Sequence, residues 1–218
     1  MVMQAIINRK SVRQYTSQDV SDDIIKKILE AGRLAPSWVN VQPWHFIVVK
    51  NQDTKNLLSQ ASGGQKQVKE ASAVICCVAD MNAWDKKVFS KVMEKQGKNL
   101  ITREFILNSP MLNPSLAGEY ETLLRTVEEL TYAIAYMSLE AEEQGIGACI
   151  VGAVTNEVTN GKDENVIAKI KSVLGLNNKQ VLLTMLTLGY AKEQTQTVKS
   201  RKEFDEVVSL EKLGNKYN

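Results

Sequence analysis

Pro36-Ser37-Trp38-Val39-Asn40-Val41-Gln42-Pro43-Trp44 runs directly into His45-Phe46-Ile47-Val48-Val49. The second stretch is apolar, partly β-branched and of strand length. The first carries prolines near both ends, which stiffen it and remove backbone donors. It also carries Ser37, Asn40 and Gln42, whose side chains both donate and accept hydrogen bonds. A rigid loop bearing amides suits the edge of a heteroaromatic ring. A plain helix-to-strand connection with Trp44 in the core accounts for the prolines and the tryptophan. It does not account for three polar side chains at this spacing.

Upstream of that loop, residues 3–8 read as a short helix and Ser21 to about Ala35 as a second. Ser21 suits the N-cap, Asp22 and Asp23 suit the positive end of the helix dipole, and Pro36 stops the helix. Val20 and Ile25 stand at the positions of a hydrophobic staple. Downstream, Ala73 to Ala79 and Val181 to Leu188 read as buried strands. A long helix is predicted from about Tyr120 to Gln144, with Gly145 ending it, and a shorter one from about Asp163 to Leu174. Residues 81–120 mix helical stretches with Pro110, Pro114 and Gly118, and Tyr190 to Asn218 forms a charged tail. Strands and helices mix without strict alternation. The expectation is a single α+β domain over residues 1–218, a sandwich around one mixed central sheet flanked by helices.

The chain has 218 residues, enough for one substantial core. Its 27 basic and 25 acidic side chains leave a formal charge of +2, which gives no reason to expect nucleic-acid binding. No apolar run approaches a membrane span, and the N-terminus does not read as a secretory signal. Cys76, Cys77 and Cys149 are odd in number and form no C-x-x-C pair, which points to a reducing, cytoplasmic setting and away from a metal site. Cys76 and Cys77 are expected as core residues on opposite faces of a strand. The one histidine, His45, is expected to be packed or hydrogen-bonded within its strand.

Two further segments carry chemistry. Arg9-Lys10-Ser11-Val12-Arg13 combines cations with a neutral donor, as a phosphate requires. Gly145-Ile146-Gly147-Ala148-Cys149-Ile150-Val151-Gly152 imitates a dinucleotide fingerprint but fails it: Ile150 occupies the third glycine position, and the segment follows a helix. Its glycines are expected to let the backbone pass close to something flat. Lys199 to Arg201 gains meaning only in the company of these segments.

Taken in order, R-x-S-x-R, P-S-x-x-N-x-Q-P-W, the long helix, G-I-G-x-C-x-x-G and a terminal basic pair resemble the nitroreductase-like family of flavoproteins, over roughly residues 3–208. The resemblance implies the nitroreductase-like sandwich and an intertwined homodimer with FMN at the interface. Arg9 and Ser11, joined by Lys199 and Arg201, are then expected to hold the FMN phosphate, with a backbone contact from Lys10. Arg13 is expected at the pyrimidine edge as an electrostatic stabiliser, with no catalytic side chain beyond it. Ser37 and Asn40 are expected to come from the partner subunit, on a loop begun by Pro36 and supported by Gln42. Backbone amides around Ile150, Val151 and Gly152 are expected to face N5 and O4. Two departures bear on substrate preference. Gln67 stands where many relatives carry a lysine, and Ile150-Val151 replaces an acidic or aromatic residue.

The implied activity is that of an NAD(P)H-dependent flavin oxidoreductase. NADH or NADPH reduces the flavin, and a nitroaromatic or quinone then takes the electrons in a ping-pong cycle. The competing readings are a flavin-dependent dehydrogenase, a reductive dehalogenase of narrow substrate, and a non-catalytic flavin-binding protein. Residues 81–120, with Trp84, Phe89, Met93, Phe105, Met111 and Leu112, either cap the substrate slot as an apolar lid or pack away from it.

Overall fold

The computed structural model describes residues 2–159, 161, 163–192 and 199–217. A short helix α1 (Val2–Asn8) precedes α2 (Asp22–Arg33), and the proline loop then feeds β1 (Trp44–Val49). Helices α3 (Gln52–Ala61) and α4 (Lys66–Glu70) follow, then β2 (Ala73–Asp80). Helices α5 (Lys86–Lys95), α6 (Leu100–Leu107) and the long α7 (Glu119–Glu143) come next, followed by β3 (Gly147–Val151). Helix α8 (Glu164–Leu174), β4 (Gln180–Gly189) and α9 (Phe204–Val207) complete the described elements.

The four strands form one sheet in the order β1-β2-β4-β3. All three strand pairings are antiparallel. The parallel component expected of a mixed sheet is confined to a single bridge, Ser11 to Ala148. The two central strands, β2 and β4, are buried along nearly their whole length. That explains their unbroken apolar runs, because helices cover both faces of the sheet. On one face, Ile25 and Ile28 of α2 and Leu130, Ala133 and Met137 of α7 pack on Ile75, Cys77, Leu186 and Leu188. On the other, Leu58 of α3, Val68 of α4 and Ile170 of α8 pack on Val74, Cys76, Val151 and Met185. Each fully buried aliphatic side chain contributes roughly 1.5–3 kcal/mol. Cys76 and Cys77 thus lie on opposite faces, as expected. Burial raises the thiol pKa of both, that of Cys76 to about 12.

Helix α2 forms as its sequence predicts. Ser21 Oγ accepts from the Ile24 N–H, and Val20 and Ile25 share the same core. The long helix also matches, with Gly145 beyond its end at φ 70°. Four elements escape the sequence reading: α3, α4, β3 and α9. Helix α3 carries a legible start, since Asn51 accepts from the Thr54 N–H. Residues 81–120 are largely helical and enclose a small core of their own. Trp84, Phe89, Met93 and Ile106 are buried there with Val41, and Trp84 Nε1 donates to Thr126 Oγ1 at 2.9 Å. Of the residues expected to make an apolar lid, Trp84, Phe89 and Met93 therefore form the interior of this unit, whereas Phe105 and Met111 are exposed. No helix among the described residues is long and apolar enough to cross a membrane.

Candidate functional site

The basic segment is laid along the edge strand β3. The Val12 N–H donates to the Ala148 carbonyl at 2.9 Å, and Ser11 bridges Ala148. Gly147 makes the approach possible: a Cβ there would lie 2.9 Å from Val12 Cγ1 and 3.0 Å from the Gly189 carbonyl. Tyr15 fastens the far end of the segment. Its hydroxyl donates to the Val12 carbonyl at 2.7 Å and lies 2.7 Å from Thr187 Oγ1. Burial drives the Tyr15 pKa upward, so the phenol stays neutral.

Lys199 joins this segment from the other end of the chain. Its ammonium donates to the Ile6 carbonyl at 3.1 Å and to that of Ile7, across as many as 193 positions of sequence. These are carbonyls at the end of α1, where a helix favours a cation. Desolvation lowers the Lys199 pKa, and Arg9 and Arg201 lower it further against the opposing pull of Glu142. Arg9, Lys199 and Arg201 therefore form one electrostatic cluster. The Cys149 thiol marks its other border. Burial raises its pKa, while Arg13, a hydrogen bond from Ser11 and Arg9 act to lower it. A cleft of about 400 Å³ opens here, lined by Asn8, Lys10, Gly145, Gly147 and Lys199 among others.

The proline loop lies elsewhere. Trp38, Val39 and Asn40 form one 3-10 turn, and Val39, Asn40 and Gln42 have φ of 48°, 55° and 52°. Non-glycine residues seldom occupy that left-handed region, and a β-branched one hardly ever does. Ser37 Oγ accepts from the Gln42 N–H at 3.0 Å, and Gln42 Nε2 donates to Asn40 Oδ1 at 3.1 Å. Pro36 follows the buried Ala35, and Trp44 opens β1 inside the core.

Register gives the distance between the two regions. Trp44 pairs with Ala79 and Ala79 with Val181, whereas Ala148 pairs with Leu188 and Val151 with Met185. Three strand spacings combined with the rise between Val181 and Leu188 put Trp44 roughly 27 Å from Ala148; the same construction puts it roughly 20 Å from Val151. Helix α7 agrees. Glu129 touches the loop and Glu142 touches the cleft, and thirteen residues of helix span about 20 Å. Within one chain, then, the basic cluster and the proline loop are on opposite edges of the sheet.

The remaining expected residues divide between strand and helix. Ile150 is exposed on β3, Val151 is buried, and Gly152 is exposed just past the strand. Residues Gly147–Val151 of that segment are therefore an edge strand, and Gly147, one of the glycines expected to let the backbone pass a flat group, faces Val12. At Gly152 a Cβ would meet nothing nearer than Thr184 Oγ1 at 4.0 Å. Gln67 is buried in α4, and its amide nitrogen donates to Gln65 Oε1. His45 is hydrogen-bonded, as expected: Nε2 lies 2.7 Å from Asp80 Oδ2. It is not packed, because its side chain is 59% exposed.

Sequence reading missed Tyr15, Gln96 and Glu129, each bonded to a candidate segment. Glu129 alone left a signal, a carboxylate beside Leu130 on the apolar stripe of α7.

The chain belongs to the nitroreductase family: that family's model matches residues 6–190. An NADH dehydrogenase of Thermus thermophilus is 26% identical over 197 residues, covering 87% of this chain and 86% of that protein. A nitroreductase-like protein of Streptococcus mutans has the same fold, with a TM-score of 0.76 at 26% identity over 95% of this chain and 97% of that one. A protein of Exiguobacterium sibiricum solved in complex with FMN superposes with a TM-score of 0.74 at 24% identity, covering 96% of this chain and 97% of that one.

Proposed function

We propose that this chain is an FMN-dependent oxidoreductase that takes electrons from NADH or NADPH and delivers them to a small nitroaromatic or quinone acceptor. The observation that carries the reading is the electrostatic cluster of Arg9, Lys199 and Arg201 beside a cleft that Lys10 and Lys199 line next to β3. Cations from both ends of the chain, where desolvation and then Arg9 and Arg201 lower the Lys199 pKa, suit a ligand carrying a compact double negative charge. The phosphate of FMN fits that donor set. The family membership and the name of the Thermus relative support the cofactor and the nicotinamide reductant.

When bound, FMN supplies the two-electron chemistry. Arg9, Ser11, Lys199 and Arg201, with Lys10, hold the phosphate. Arg13 lies beyond them on the same segment, where its guanidinium favours negative charge on the pyrimidine edge. The end of β3, where Ile150 and Gly152 are exposed around the buried Val151, offers backbone to the ring, and Gln67 gives that neighbourhood a neutral amide. Ser37, Asn40 and Gln42, roughly 20 Å away in the same chain, serve the ring of a second copy. A hydrogen bond needs about 3 Å, so the loop cannot reach the basic cluster of its own chain, which supports a site shared between two copies. In this reading the chain acts as a homodimer, in the cytoplasm, as a single domain. The unit over residues 81–120 packs on the proline loop and accompanies it to the partner's site.

The test is spectroscopic. Purified protein is expected to carry visible flavin bands near one per chain and to release FMN on denaturation. NADH is expected to bleach them under anaerobic stopped flow. A colourless protein that stays colourless with excess FMN ends the proposal. Bound flavin that NADH leaves oxidised favours the non-catalytic flavin-binding reading.

A further inference from the structure

Ser37 and Asn40 stand on a loop that would not keep its shape alone. Three of its residues hold left-handed φ values, and such strain persists only where the surroundings over-determine it. The 3-10 turn begins at Trp38, and Ser37, the residue in front of it, makes no side-chain cap. The Trp38 N–H is satisfied from outside: Glu129 Oε2 on α7 accepts it at 2.8 Å. Glu129 is 2% exposed. A carboxylate is costly to bury, so its location inside the fold, aimed at one backbone N–H, calls for a reason. Further contacts hold the same turn, among them Trp38 Nε1 donating to the Leu112 carbonyl at 3.1 Å. Arg125 lies over the Trp38 ring at 4.9 Å from its centroid, and Gln96 Nε2 donates to the Val39 carbonyl at 3.2 Å.

We propose that Glu129 is a positioning residue: by fixing the backbone of Trp38 it holds the strained turn so that Ser37 and Asn40 meet the FMN of the partner subunit. The inference rests on the shared-site reading above. Glu129 touches no cofactor itself. It acts through the loop, from the middle of the helix whose far end borders the basic cleft. One rigid element therefore sets the spacing between the phosphate cradle of one chain and the loop that chain lends to the other.

The experiment compares full-length wild-type protein with Glu129→Gln, Glu129→Leu and Gln96→Leu, reading FMN dissociation by recovery of flavin fluorescence. Gln retains an acceptor for the Trp38 N–H and is expected to stay within about threefold of wild type, whereas Leu removes it and is expected to weaken FMN by at least about tenfold. A purely structural carboxylate would lower thermal stability in the Leu variant and leave FMN affinity alone. Folded Glu129→Leu with wild-type affinity, or Glu129→Gln as weak as Glu129→Leu, overturns the proposal. Should Glu129→Leu not fold, Gln96→Leu reads the same loop from a half-buried position. Faster FMN release in that variant supports the clamp, and an unchanged rate overturns it. Wild-type protein that takes up no FMN at all refutes the functional reading instead, which keeps the two failures apart.

Discussion

Gly147→Ala tests the seam on which the basic segment rests. The new Cβ would lie 2.9 Å from Val12 Cγ1, 3.0 Å from Val12 Cβ and 3.0 Å from the Gly189 carbonyl. Carbon atoms prefer about 3.5–4.0 Å, so each carbon contact is short by half an ångström or more. The Gly189 carbonyl is held in the β3–β4 ladder, so the backbone at Val12 must give. Overpacking of this kind costs about 1–3 kcal/mol. Loss of the Val12 N–H to Ala148 bond adds about 0.5–1.5 kcal/mol. Removing the excess freedom of glycine returns about 0.5–1 kcal/mol. The net expectation is a loss of about 0.5–4 kcal/mol in urea unfolding of the apoprotein, or roughly 1–16 °C in Tm for a chain of this size. Ser11 and Arg13 shift with Val12, so FMN affinity falls as well. Gly152→Ala is the control. Its Cβ meets only Thr184 Oγ1 at 4.0 Å, so apoprotein stability is expected to change by no more than about 0.5 kcal/mol. Yet a flavin ring passing over that backbone would lose about tenfold in affinity, since only glycine permits so close an approach. Gly147→Ala as stable as wild type refutes the tight seam. Gly152→Ala with full FMN affinity removes the ring from the end of β3.

Three further outcomes are expected. Arg9→Ala should raise the FMN dissociation constant by about 10- to 100-fold, the value of a charge-assisted hydrogen bond, while the apoprotein melts as wild type does; unchanged affinity takes Arg9 out of the phosphate cradle. Tyr15→Phe should cost about 1–2 kcal/mol in urea unfolding, because the Val12 carbonyl and Thr187 lose their buried partner; a neutral result shows that the hydroxyl does not pin the segment. His45 has a raised pKa through its hydrogen bond to Asp80, so the stability it adds is complete below its unfolded value of about 6.5 and is lost as pH rises through the folded value. Its half-exposed position keeps that gain below about 1 kcal/mol, and the pH dependence should vanish in His45→Gln; a slope that survives the substitution assigns it to another group.

Residues that act through local chemistry were readable in the sequence. Ser21 announces a helix start because its hydroxyl caps the turn beside it, and Gly145 announces a stop because only glycine enters the left-handed region cheaply there. Cys76 and Cys77 had to face opposite ways because side chains alternate along any strand. The motif residues Arg9, Ser11, Ser37 and Asn40 could be marked because their types suit an anion and a ring edge. Strand β3 was not readable, since glycines and a preceding helix hide the alternation that identifies strands. Nor was the fate of Trp84, Phe89 and Met93, because an apolar pattern reports that a face is covered and not what covers it.

What only the tertiary structure decided is placement. Sheet order separates the proline loop from the basic cluster by three strand spacings, and no local rule connects residues that far apart. Folding also brings Lys199 onto the end of α1 and Glu129 onto the Trp38 N–H. Both contacts are made between elements distant in sequence. Composition, capping and alternation act over a few residues, whereas which edges of a sheet face each other is settled by packing of the whole chain.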